Sequence, residues 1–481
     1  MLIQEFSNSG FDDIKADKQI KRSYEVDSKV HSVEDLEKAQ EQRVEQITAI
    51  LGLPQEQSAL LLRHFKWNKE RLVEKYVDAS EKVLRDAGLQ PTPLDVSHEP
   101  KLIRDFSCAI CCDEGDIMTF ALPCNHRFCK DCYGYYVEQK IVEEGESRRI
   151  QCPGERCGFA VDEKQLRLLV TPSVFERHRV LLDRTYVDDH DYLRWCPSAN
   201  CEYAIECAVG NSQLKTVIPT VECACAYRFC FGCGLADHQP CLCALVKLWL
   251  KKCADDSETA NWISANTKEC PKCNSTIEKN GGCNHIICRK CKHEFCWVCM
   301  GPWSEHGSSW YSCNRFEEKS SADARDGQAK SRATLDRYLH YYNRYANHEQ
   351  SAKLEKDQYS RTEKRMHQLQ STSGLSWIEV QYLHHTYTAL QQCRQTLKWT
   401  YALAFYLKRN NLTDLFEDNQ RDLEMAVEQL SELFEKPLDE MVENKRKVMD
   451  KTAYVNNRRQ ILLEDTCKGL AEERWPFSVE L

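Results

Sequence analysis

The chain has 481 residues, a net charge of −9 and 28 cysteines. At about 100–200 residues per domain, that length predicts several domains. The mild acidity argues against nucleic-acid binding by bulk charge. No run approaches the roughly 18 apolar residues of a membrane span, and the polar start MLIQEFSNSGFDD does not read as a secretory signal. A reducing compartment is expected, where clustered cysteines are metal ligands or catalytic thiols rather than disulfides.

Residues 1–107 contain no cysteine. Their first stretch, to about Lys29, is polar and expected to be poorly ordered. Ser32 can cap a helix over Val33–Leu51, with Asp35 at its third position and Val44, Ile47, Ile50 and Leu51 at helical spacing. Leu60, Leu61, Leu62 and Phe65 predict a second short helix. Asn68 can cap a third over Lys69–Tyr76, with Leu72, Val73 and Tyr76 inward. Pro91–Pro100 reads as a linker, because proline removes donors and favours extended chain.

Twenty-six of the 28 cysteines lie between Cys108 and Cys313. Zinc takes four ligands in a tetrahedron, and Cys-x2–4-Cys pairs supply two at a time. The first group is Cys108, Cys111, Cys124, His126, Cys129, Cys132, Cys152 and Cys157. Its first and third pairs can share one zinc and its second and fourth another, forming a cross-brace. The second group, Cys196, Cys201, Cys223, Cys225, Cys230, Cys233, His238 and Cys243, can close sequentially. Cys241 competes with Cys243 for the last place, and Cys243 is preferred. The third group is Cys270, Cys273, Cys288, Cys291, Cys296, Cys299, His306 and Cys313, again sequential. His293 is an alternative to His306, but it is squeezed between two knuckles. These 24 ligands predict about six zincs, all structural, because closed four-coordinate sites leave no position for substrate.

Seven cysteines remain: Cys112, Cys207, Cys241, Cys253, Cys283, Cys393 and Cys467. Six read as packing or free thiols. Cys283 differs, lying in Asn280-Gly-Gly-Cys-Asn-His285. The glycines permit a tight open loop. A thiolate is a strong nucleophile, and the imidazole of His285 can lower its pKa or serve as a base. Glu294 can orient that histidine once the fold closes.

From about Asp323 the pattern is helical. Leu335, Tyr338, Leu339, Tyr342, Tyr345 and Ala346 form one stripe. Trp377, Val380, Gln381, Leu383, Leu390, Leu397, Tyr401 and Phe405 form a second, and Leu423, Val427, Leu430 and Leu433 a third. An antiparallel helical domain is expected, its aromatic stripes serving as core.

The strings CAICC (108–112), LPCNHRFCKDC (122–132), RFCFGCG (228–234) and KECPKCNSTIEKNGGCNHIICRKCKHEFCWVCMGPW (268–303) resemble the RING1, in-between-RING and RING2 modules of RING-between-RING ubiquitin ligases. SRATLDRYLHYYNRYANH (331–348) and SWIEVQYLHHTYTAL (376–390) resemble the Ariadne domain, and residues 33–88 that family's ubiquitin-associated (UBA)-like domain. The resemblance implies a multidomain chain: zinc-stabilised RING1, in-between-RING and RING2 modules flanked by a three-helix UBA-like domain and an all-α Ariadne domain. Its implied segments are a disordered 1–30, UBA-like 31–90, linker 91–105, RING1 106–160, helical linker 161–192, in-between-RING 193–245, linker 246–267, RING2 268–315 and Ariadne 323–481.

It further implies that RING1 recruits a ubiquitin-loaded conjugating enzyme (E2), with Ile110, Leu122 and Pro123 at the matching apolar positions. Cys283 then takes the ubiquitin as a thioester and passes it to a substrate amine, with His285 as general base supported by Glu294. The family implies autoinhibition by the Ariadne domain, with Leu354, Glu355 and Glu428 at matching positions and Leu354 standing where relatives have Phe. It implies release by a neddylated cullin-RING ligase, a cytoplasmic or also nuclear location, and no membrane or nucleic-acid partner. Two other classes compete: a zinc-array tether using basic clusters such as Lys247–Lys252, and a non-covalent RING adaptor with Cys283 idle.

Overall fold

The computed structural model describes residues 22–89, 99–255, 267–306, 313–316, 327–373 and 377–480. The chain divides into two compact units. One comprises Asp27–Ala208 with Glu222–Tyr227. The other comprises Met1–Val26, Val209–Val221 and Arg228–Leu481.

In the first unit, α1 (Val33–Leu51) starts at a reciprocal cap. Ser32 Oγ accepts from Asp35 N at 3.3 Å, and an Asp35 carboxylate oxygen accepts from Ser32 N at 3.1 Å. The helix stops at Gly52, whose φ of 66° is left-handed. Helix α2 (Gln55–His64) follows. Helix α3 (Lys69–Ala87), capped by Asn68, runs eleven residues beyond the expected Tyr76, through a kink at Ala79. The extension is kept because Val83, Leu84 and Ala87 are buried. Leu36, Ile47, Leu61, Leu62, Trp67 and Leu72 form the bundle core with Tyr186 and Val187. Each such side chain contributes about 1.5–3 kcal/mol by leaving water. Ile50, expected inward, is 51% exposed.

The expected disorder to residue 30 does not extend to β1 (Ser28–His31), while residues 1–21 lie outside the described set. β1 pairs antiparallel with the strand Ala204–Cys207, Ser28 opposite Cys207, so backbone pairing overrides the polar composition. The expected linker 91–105 also ends early. Lys101–Ser107 forms the outer strand of a three-stranded sheet with Glu114–Ala121 and Arg127–Cys129, bulged between Ile103 and Phe106. Helix α4 (Lys130–Val142) packs Tyr133, Val137 and Ile141 against Phe120. The helices α5 (Glu163–Leu169) and α6 (Pro172–Asp188) complete that core with Leu166, Val174 and Phe175.

In the second unit, α7 (Cys243–Asp255) occupies half of the expected linker 246–267, since Leu245, Val246 and Trp249 bury. Residues 256–266 are not described. Two short hairpins follow, Thr267–Glu269 with Thr276–Glu278, and His285–Ile287 with Glu294–Cys296. Then come α8 (Gly327–Ser373), α9 (Trp377–Tyr406), α10 (Asn411–Phe434), α11 (Leu438–Glu443) and α12 (Lys445–Ala471). Tyr338, Tyr345, Leu383, Leu390, Leu397, Tyr401, Leu423, Val427, Leu430 and Leu433 share one buried cluster. Leu335 is exposed at 43%. The side chains of Trp377, Val380 and Gln381 lie outside the described residues. No helix among those described is long and apolar enough to cross a membrane.

Candidate active site and metal centres

Six of the knuckles share one local conformation. The residue after the second cysteine sits at positive φ: Cys112 (62°), Ala226 (63°), Gly234 (76°), Asn274 (54°), Lys292 (57°) and Met300 (64°). Its N–H turns back to the carbonyl of the first cysteine, as in Cys112 to Cys108 and Asn274 to Cys270, both near 3 Å. Cys112 is therefore a turn residue, its side chain exposed away from the cage.

Five ligand sets gather with all their ligand atoms within 4.8 Å: Cys108/111/129/132, Cys124/His126/Cys152/157, Cys196/201/223/225, Cys230/233/His238/Cys243 and Cys270/273/288/291. The first two interleave as a cross-brace, and the others close in sequence. Around the sixth, Cys299 Sγ is 3.4 Å from His306 Nε2, with Cys296 and Cys313 interacting with Cys299. Sulfur pairs such as Cys124–Cys152 (3.5 Å), Cys201–Cys223 (3.6 Å) and Cys273–Cys288 (3.7 Å) fit a metal-centred tetrahedron. A Zn–S bond of about 2.3 Å sets edges of ~3.8 Å, whereas a disulfide needs about 2.05 Å. The donor set therefore suits zinc.

His238 offers Nε2 to its cage while Nδ1 is 2.7 Å from the Cys241 carbonyl. Cys241 thus orients a ligand through its backbone, and its buried thiol stays out of the cage. His293 stacks on Phe295 instead of joining a cage.

Cys283 follows the hairpin strand Thr276–Glu278 and precedes His285–Ile287. His285 pairs with Cys296, so Glu294 is its diagonal neighbour on the same face. Their side chains meet at 3.0 Å. The imidazole lies flat on Trp303, centroids 4.5 Å apart and 9° from parallel. Trp303 is a positioning contact that the spacing argument missed, although it stands in the GPW string.

Cys283 itself is only 4% exposed. Its Sγ donates to the Glu428 carbonyl at 3.6 Å, and its N–H donates to Glu435 Oε1 at 2.8 Å. Asn284 donates from backbone and side chain to the Glu428 carboxylate, the latter at 2.8 Å. Arg394 of α9 sits behind, fully buried. It donates to Glu355 Oε1 at 2.9 Å, to Glu428 Oε1 at 2.6 Å and to the Gly282 carbonyl at 3.1 Å. Ser431 adds a bond to Glu355 at 2.8 Å. Lys279, 3% exposed, donates to Asn284, Asn347 and Ser351 at 2.9, 3.0 and 2.9 Å. So the structure brings Glu355 and Glu428 to Cys283, whereas Leu354 is half-buried on the neighbouring face of α8.

Burial, then Glu428 and Glu435, push the Cys283 thiol well above the ordinary thiol range. Burial pulls Lys279 down to about 8. For Arg394 burial opposes the charge, but Glu355 and Glu428 outweigh it. The arrangement covers the Cys283 thiol and favours its protonated form.

Of the three apolar positions on the first zinc module, Ile110 is 48% exposed and Pro123 half-buried. Leu122 is 1% exposed and packs inside the module, so it shapes the surface without forming it.

A second corner joins the last knuckle to the helices. Arg344 of α8 donates from Nε to the Cys313 carbonyl at 3.1 Å and lies 3.7 Å from its Sγ. Asn314 donates to the Glu417 carbonyl at 2.7 Å, and His340 is 2.9 Å from the Asn314 carbonyl.

Comparison with known families agrees with this geometry. Residues 38–78 match the UBA-like domain of the E3 ubiquitin-protein ligase ARIH1, and 108–154 the C3HC4 zinc finger (RING finger). Residues 176–243 and 265–314 match IBR domains, and 336–472 the Ariadne domain. The chain thus has the modules of a zinc-binding RING-between-RING ubiquitin transferase. It is 54% identical over 480 residues to E3 ubiquitin-protein ligase dbl4 of Schizosaccharomyces pombe, covering 99% of this chain and 94% of that one. It is 44% identical over 461 residues to E3 ubiquitin-protein ligase ari-1.1 of Caenorhabditis elegans, covering 94% and 90%. It is 41% identical over 476 residues to E3 ubiquitin-protein ligase ariadne-1 of Drosophila melanogaster, covering 96% and 92%. The chain belongs to the Ariadne family of E3 ubiquitin ligases, whose partners include an E2 and ubiquitin.

Proposed function

We propose that this ligase works covalently through Cys283 and is held off by its own helical domain. The supporting observation is the burial of Cys283 between Glu428 and Glu435, beside a His285–Glu294 pair whose side chains belong to none of the six ligand sets. An E2 docks on the first zinc module, with Ile110 and Pro123 at its surface. The Cys283 thiolate attacks the E2–ubiquitin thioester, forming a new thioester and releasing the E2 thiolate. A substrate amine then attacks, its proton passes to the His285 imidazole, and the Cys283 thiolate leaves. One thioester replaces another, so little net energy is needed and positioning dominates. Zinc, about six ions per chain held by the 24 ligands named above, keeps each module folded. Uncovering Cys283 requires displacing Glu428 and Glu435, and binding to a neddylated cullin-RING ligase is the proposed trigger. A cytoplasmic or nuclear location accompanies that partner.

The test is thioester trapping with a ubiquitin-loaded E2. Cys283→Ser in a Glu428→Ala background should accumulate an alkali-labile ubiquitin ester, and Cys283→Ala should form none while keeping its zinc. Glu428→Ala alone should load ubiquitin at least about tenfold faster than the unmodified chain, which is ~1.4 kcal/mol of lost cover. Full ubiquitination by the Cys283→Ala chain would exclude the covalent route.

A further inference from the structure

Between the UBA-like bundle and the first zinc module, within one compact unit, lies a cavity of about 150 Å³. It is lined by Leu60, Arg63, His64, Lys66, Ala87, Arg148 and Arg149. Five of these seven carry a cation or an imidazole, and none is acidic. The two sequence segments meet because α2 and α3 pack beside the 146–149 turn. Arg149 reaches across to the Asp86 carbonyl at 2.7 Å and the Gly158 carbonyl at 2.7 Å.

Counter-charge is scarce. Arg148 is paired with Asp189 at 2.5 Å. Arg149 is satisfied by neutral carbonyls, so its charge is uncompensated. The Arg63 and Lys66 side chains have no hydrogen bond or ion pair among the described residues, and the Arg63 Nε is buried without a partner. Glu163 acts on Arg63, Asp86 on His64 and Asp189 on Lys66 only through space. Burial draws Arg63 and His64 away from their charged forms. A half-buried guanidinium with no partner is costly, and gathering further cations around it adds repulsion. A bound anion relieves both. Guanidinium groups present paired donors that match a phosphoryl group, with an ammonium as an added point charge.

We propose that this cavity is an anion site for a phosphate group, held by Arg63, Lys66, Arg148 and Arg149, and that its occupation tightens the UBA-like bundle against the first zinc module. The site is separate from Cys283 and does not depend on the covalent mechanism. Two sources share this chemistry: free phosphate, and the phosphate of a phosphoserine side chain.

Isothermal titration of the full zinc-loaded chain with inorganic phosphate, in a chloride buffer, tests the site. Saturable one-to-one binding is expected. It should weaken at least tenfold in Arg63→Gln and in Lys66→Gln, and persist in Lys447→Gln, which lies outside the cavity. A phosphate-dependent rise in Tm should disappear in the same two variants. A phosphoserine peptide binding more tightly than phosphate would assign a protein partner, and the reverse order a free anion; either supports the site. If Arg63→Gln does not fold, the exposed Lys66→Gln decides. Absence of saturable phosphate binding, or unchanged binding in Lys66→Gln, would overturn the proposal.

Discussion

Gly281 and Gly282 are set for close approach rather than for an unusual backbone. A Cβ on Gly282 would fall 2.3 Å from Glu355 Oε1, and one on Gly281 2.2 Å from Glu435 Oε1. Gly282→Ala must push the helical carboxylates outward. Faster alkylation of Cys283 by iodoacetamide is expected, read by mass spectrometry, with cysteines in the zinc cages protected. The same residue carries a pH dependence. The covered thiol titrates above a free thiol, so its thiolate fraction at neutral pH is lower. The midpoint of its alkylation profile should lie above the ~8.5 of a free cysteine and fall toward it in Glu428→Ala. A midpoint unmoved by that substitution would mean Glu428 does not restrain the thiol.

At the scale of elements, the cover consists of two helical stripes. Asn347, Ser351 and Glu355 are four residues apart along α8. Glu428 and Ser431 on α10 and Glu435 at its C-cap recur at three and four. Each set projects from one helical face, and both end on the Cys283 loop. Arg394, from α9, ties the two stripes together and adds the Gly282 carbonyl. Arg394→Leu leaves Glu355 and Glu428 without their hydrogen-bonded cation, a loss of about 3–5 kcal/mol for a broken buried pair. Lower Tm with faster ubiquitin loading is expected, and unaltered loading would show that the stripes hold without their tie. The aromatic stripes were legible in the sequence because apolar spacing marks a core directly. The polar stripes carried the same period, but nothing in one sequence says what a polar face meets. Cys283, His285 and Glu294 were legible because they lie within twelve residues of each other. Arg394, Asn347 and Glu435 come from 63 to 152 residues away from their partners, and only the folded chain joins them. Strand β1 was missed for the same reason: its partner strand begins at Ala204.

For the whole molecule, metal takes the place of a large core in the small modules. Elemental analysis should return about six zincs per chain, and chelation should unfold those modules while the helical domain keeps its circular dichroism. A value near four would mean that one module has been assigned wrongly.

The Arg344–Cys313 corner gives one of those ions a separate meaning. A zinc held by three thiolates and one imidazole is a net monoanion, and here a buried guanidinium from the opposite domain faces one of its sulfurs. In the proposed covered state, that guanidinium partly neutralises the thiolate. The proposed release removes this partner and leaves the thiolate more basic. Under that proposal, the residence time of this single ion reports on uncovering. Exchange with isotopically labelled zinc should show five slow ions and one whose rate rises with Gly282→Ala or Arg394→Leu, before any ubiquitin has moved.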